Sequence, residues 1–111
     1  MQSADPDIVM ADHGFPPGLL PRPVVSSRYD VATGTFEVTL GQRVVRQVDR
    51  YRVRYGTVIR GRIVADAITE LSGVQAKKGL WFPVSRILAR GEKLAFQVGP
   101  VVKHLPVDAF S

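Results

Sequence analysis

Residues 35–40, Thr-Phe-Glu-Val-Thr-Leu, alternate polar and apolar without a break. Successive side chains of a strand point to opposite faces, so Phe36, Val38 and Leu40 share one face of an extended segment. Arg50-Tyr51-Arg52-Val53-Arg54-Tyr55 alternates as cleanly, and Leu94–Val98 reads as a third strand. These rhythms predict Phe36, Val38, Val53, Phe96 and Val98 in the core. Val31-Ala32-Thr33-Gly34 separates residues 24–30 from 35–40 and predicts a hairpin between them. Gly56 marks a turn, after which residues 57–64 return as a strand. The apolar run 80–88 is interrupted by Pro83, which lacks a donor and predicts a sheet edge or a bulge. Residues 94–98 and 101–105 flank Gly99-Pro100 and predict a last hairpin. Asp66–Leu71 reads as a helical turn. Six or seven short strands with frequent turn signals predict an all-β fold: mainly β with one short N-terminal helix, arranged as a small sandwich or partly open barrel.

The helix is expected at about residues 6–13. Asp5 suits the N-cap, Pro6 the first helical position, and Asp7 the positive end of the helix dipole. Gly14 suits the stop. The arch 14–23 follows, including Gly14-Phe15-Pro16-Pro17-Gly18-Leu19-Leu20-Pro21. Its prolines and glycines bar a helix or a central strand. Phe15, Leu19 and Leu20 are too apolar for a free linker, so the arch is expected to pack. Residues 24–110 form the β part, and residues 1–111 a single domain.

Composition narrows the picture. The 111 residues are 45% hydrophobic, enough for one core. No stretch approaches the roughly 20 apolar residues of a membrane span. The absence of cysteine excludes disulfides, thiolate catalysis and cysteine–zinc sites. Residues 2–7 suit either the start of a chain whose secretory leader was removed or a natural N-terminus. The first implies an extracellular protein and the second a cytoplasmic one. No feature bears on oligomeric state.

The net charge is +5, and seven arginines fall between Arg43 and Arg62 against one acid, Asp49. By parity Arg50, Arg52 and Arg54 face away from Tyr51, Val53 and Tyr55, while Arg60 and Arg62 share a face of the returning strand. These five arginines are the candidate anion-binding face, for anionic lipid headgroups, phosphate or acidic polysaccharide. The plainer expectation is a solvated face whose arginine stems cover the sheet. Base stacking would need aromatics on the basic face, and Tyr51 and Tyr55 lie on the other, which argues against nucleic acid. Lys77 and Lys78 beside Trp81 are a candidate membrane-facing loop; the plainer expectation places Trp81 in the core.

Catalytic candidates are few. His13 and His104 lack metal-ligand spacing. Ser26, Ser27, Ser72 and Ser85 lack a nucleophile elbow. No cofactor or metal is called for, and the residues point to binding rather than catalysis.

The arch, the segment Leu71-Ser72-Gly73-Val74-Gln75-Ala76-Lys77-Lys78-Gly79-Leu80-Trp81-Phe82-Pro83-Val84, and the segments Phe96–Pro100 and Leu105–Phe110 together resemble the plant family called domain of unknown function 538. The resemblance spans most of the chain and is poorest at 41–54, so it does not supply the arginine stripe. It implies a mostly β fold and a small plant protein linked to stress and growth. It also implies a distant relation to lipid-binding bactericidal/permeability-increasing proteins. The expected function is therefore binding of an amphipathic or anionic ligand such as a lipid; the alternative that the resemblance implies is a weak hydrolase acting on a chlorophyll-type, lipid-like ester, and a third, separate from the resemblance, is a pure protein-interaction module. It transfers no catalytic residue to this chain.

Overall fold

The computed structural model describes residues 2–3 and 5–110, with side chains except at positions 2, 3 and 78. Nine strands pair antiparallel in one sheet: β1 (Gln2–Ser3), β2 (Val24–Tyr29), β3 (Thr35–Leu40), β4 (Val44–Val48), β5 (Tyr51–Val64), β6 (Ala67–Lys78), β7 (Leu80–Arg90), β8 (Lys93–Val98) and β9 (Val101–Pro106). Their order is β1-β2-β3-β5-β6-β7-β8-β9, with β4 lying off this path on β5. The long strand β5 has two partners along one side. Its first half pairs with β4, its second half with β3.

The sheet curls. Phe36 of β3 and Leu105 of β9 line one interior cavity of only about 30 Å³. Laid flat, the five spacings between those strands would hold them about 24 Å apart. The curl stops short of closure, because β1 and β9, at the two ends of the order, do not pair.

One helix, α1 (Pro6–Asp12), and the arch fill the open side. Asp5 accepts from the backbone N–H of Asp7 at 2.9 Å, the expected N-cap bond. Gly14 ends the helix region with φ +83°. Arg22, at the far end of the arch, pairs with Asp7. Phe15, Leu19 and Leu20 are buried, and Pro17–Leu19 forms a single 3-10 turn. A second 3-10 turn, Val107–Phe110, stacks Phe110 on Phe96 with ring centroids 5.6 Å apart. This last turn presses on the arch so closely that a Cβ at Gly18 would lie 1.5 Å from the Phe110 carbonyl oxygen. Only glycine fits there.

Phe36, Val38, Val53, Phe96 and Val98 are all buried, as their alternation predicts. Three expectations need correction. Gly56 makes no turn, because β5 runs through it for 14 residues. Asp66–Leu71 is not helical. Ala65 and Asp66 make the turn, and Ile68 then pairs with Ile63 on one side and Ile87 on the other, where a buried strand gains more than a single exposed helical turn. Of the two expectations for Pro83, the bulge is the one met: β7 lies between β6 and β8, and the pairing shifts register beside the proline. Among the described residues the strands number nine rather than six or seven; the fold is mainly β with one short helix, as expected, and of the two expected arrangements it is the open one, a curled sheet not closed into a barrel.

Candidate functional site

Arg52 and Arg54 lie in the first half of β5, on its outer face. Arg52 stands between Gln47 of β4 and Lys77 of β6, and Lys77 in turn stands beside Trp81 of β7. One rung further along, Val45, Arg54, Gln75 and Pro83 form the next row. Arg54 places its guanidinium 4.3 Å from the centre of the Trp81 ring and donates through Nε to Gln75 Oε1. The Lys77 ammonium lies 6.0 Å from the same ring. Trp81 is therefore held by cations on the outer face and lies outside the core cluster, contrary to the plainer expectation.

The β6–β7 hairpin turns at Gly79, where a Cβ would meet nothing within 4 Å. The turn thus faces open space. It carries Leu80, 73% exposed. Among the described residues, no carboxylate pairs with Arg50, Arg52, Arg54 or Lys77. The Lys78 side chain lies outside the described residues. Two sets of candidates far apart in sequence, Arg52 with Arg54 and Lys77 with Trp81, thus share one end of the sheet. Arg50 sits in the exposed turn that enters β5 there.

Arg60 and Arg62 face the same way but are placed elsewhere. Six residues of strand, about 20 Å of contour, separate Arg54 from Arg60. Arg60 pairs with Glu37 at 2.8 Å, and Arg62 donates to the Thr33 carbonyl at 2.8 Å.

Beneath the first half of β5 lies an inward-facing arginine that periodicity did not single out. Arg46 of β4 donates through Nη2 to the carbonyls of Gly18 and Leu19. Its guanidinium sits 5.4 Å from the Tyr55 ring centre and 5.5 Å from that of Phe110. The Tyr55 hydroxyl donates to the Leu19 carbonyl at 2.9 Å. Burial pushes the Tyr55 pKa above the ordinary tyrosine value, and the neighbouring Arg46 charge draws it partly back.

The interior itself is apolar. No polar or charged side chain among the described residues is fully buried. The cavity of about 30 Å³ holds a water or a methyl group, not an acyl chain. His13 is bonded to the Ala65 carbonyl at 2.6 Å, and His104 is exposed on β9. The two histidines stand on separate elements and neither reaches the interior. On the outside, by contrast, an open cleft of about 760 Å³ lies where β5 and β6 bend, with Arg43 and Arg54 among its walls. Among the described residues no helix is long and apolar enough to cross a membrane.

A single curled antiparallel sheet, an apolar interior and a cationic–aromatic end define the class: a small all-β protein. Residues 7–111 match the family described as "Protein of unknown function, DUF538", and the chain belongs to that family. Among curated proteins and among solved structures, no chain matches it.

Proposed function

We propose that this protein is a peripheral binding module for anionic lipid surfaces, engaging them through the end of the sheet that carries the β6–β7 hairpin. The observation that carries the reading is the row Arg52–Lys77–Trp81 across three strands, with Arg54 over the indole and Leu80 at the tip. An indole with neighbouring cations matches the headgroup level of a bilayer, where one edge of the ring is wet and the other apolar. An exposed leucine adds apolar insertion. Each cation near an anionic surface contributes about 1 kcal/mol, and the contribution fades beyond a Debye length of about 8 Å at physiological salt. Arg60 and Arg62 lie farther than that along β5, so they form a separate field.

The test is sedimentation with phosphatidylcholine vesicles, with and without phosphatidylserine. Wild type is expected to bind the anionic vesicles and to release them as salt rises. Arg52→Gln with Lys77→Gln removes two charges at the tip and should weaken binding about thirtyfold. Arg60→Gln with Arg62→Gln removes the same charge and should change little. Equal losses from the two pairs, or indifference of wild type to phosphatidylserine at low salt, would refute the reading.

A further inference from the structure

We propose a second site, for a small organic anion with an apolar body, in the outer cleft where β5 and β6 lose register. The proposal does not rest on membrane binding: it concerns a soluble ligand and a different set of residues, with Arg54 alone common to both sites.

The cleft follows from the pairing. On one side of β5, the β4 ladder ends at Tyr55 and the β3 ladder begins at Val58, so neither register covers Gly56 or Thr57. On the other side, pairing jumps from Tyr55↔Val74 to Arg60↔Ser72, so four residues of β5 face Gly73 alone. The β6–β7 ladder jumps too, from Ile68↔Ile87 to Gln75↔Pro83. Surplus residues on two adjacent strands must leave the ladder, and such bulges bend the sheet. Gly73, at φ +88°, fixes the bend: a Cβ there would lie 2.2 Å from the Val58 carbonyl oxygen.

The resulting space is about 760 Å³. That is within the range of roughly 300–1,000 Å³ typical of small-molecule sites. The lining includes two arginines and no carboxylate: Arg43, and Arg54, whose guanidinium also lies over Trp81 and donates to Gln75. Thr57 and Ser72 add hydroxyl groups, while Val45 and Leu71 add apolar surface. Guanidinium forks pair best with planar oxyanions, so a carboxylate is the matching head and a flat hydrocarbon the matching body.

The probe is 2-naphthoate, with 2-naphthamide as its uncharged counterpart, titrated into the intact protein by calorimetry and backbone NMR. Saturable naphthoate binding is expected, at least about tenfold tighter than the amide, because the charge-assisted bonds are lost with the charge. Amide shifts should centre on Thr57 and Ser72. Arg43→Gln, in an exposed loop, should weaken naphthoate about tenfold. Gly56→Leu should abolish binding by occupying the cleft; a Cβ at Gly56 has its nearest neighbour at 3.7 Å, an ordinary contact, and circular dichroism checks that the variant is folded. Both variants should retain vesicle binding, and Lys77→Gln should retain naphthoate. Equal binding of acid and amide, shifts centred on interior residues such as Leu105 and Phe110, full binding by folded Gly56→Leu, or no saturation at millimolar probe would overturn the proposal.

Discussion

The two halves of β5 carry the same alternation of arginine and apolar residue, yet their chemistry differs. In the second half, Arg60 and Arg62 are absorbed by β3: one pairs with Glu37, the other bonds the Thr33 carbonyl. In the first half, Arg52 and Arg54 meet Lys77, Gln75 and Trp81 of β6 and β7 and, among the described residues, no carboxylate. The inner faces differ as well. Under the second half lie Ile59, Ile63 and the Phe36 ring, all apolar. Under the first half a cation, Arg46, is wedged between Tyr55 and Phe110 and tied to the arch. Periodicity assigns a face to each side chain; the neighbouring strand assigns its partner. An arginine pattern is thus no evidence of a cationic site until the opposing strand is known.

The contrast is open to attack, most strongly at its apolar half. Phe36→Ala should lower unfolding free energy by about 3–5 kcal/mol in denaturant titration, since a buried ring leaves a cavity that packed strands cannot collapse. A loss under about 1 kcal/mol would place the weight of the core under the other half. Next in size is Arg46→Ala, which takes one donor from each of two carbonyls, leaving that of Leu19 with the Tyr55 hydroxyl, and the cation from two rings. About 2–4 kcal/mol should be lost. Arg46→Met keeps much of the packing, so if it loses nothing, the wedge is merely filler.

Tyr55→Phe should cost about 1 kcal/mol near neutral pH, by removing the bond to the Leu19 carbonyl. It should also change the alkaline limb. The folded pKa of Tyr55 is raised. Its contribution is therefore complete below the unfolded value of about 10 and is lost as pH rises through the folded value, because the unfolded chain sheds its proton first. Wild type should lose more stability above pH 10 than the phenylalanine variant; parallel curves would exclude Tyr55 as the source. The smallest effect is expected on the absorbed side. Glu37→Gln breaks a largely solvated pair with Arg60 and should cost no more than about 1 kcal/mol. It should, however, free a charge. If vesicle binding then rises as steeply as tip mutations lower it, the two halves are one field after all.

The residues themselves determined much of this fold. Strict alternation at 35–40, 50–55 and 94–98 fixed which side chains are buried, because a strand has only two faces and water sorts them. The capped helix and the packed arch were legible for similarly local reasons: a carboxylate before proline, and large apolar residues among residues that cannot form regular structure. What escaped was non-local. Gly56 looks like a turn because a glycine after a strand usually is one, yet here β6 lies alongside with its own glycine, Gly73, and the chain bulges and continues. Residues 66–71 have helical composition, but Ile68 finds two isoleucine partners across strands. Arg46 hid itself by placing a charge at an inward position of β4, and Arg43 gained meaning only from a cleft formed by residues up to forty positions away. Register between distant strands is chosen by the total burial it achieves. That choice set Lys77 and Trp81 beside Arg52, Glu37 beside Arg60, and the outer cleft between them, none of which any single segment encodes.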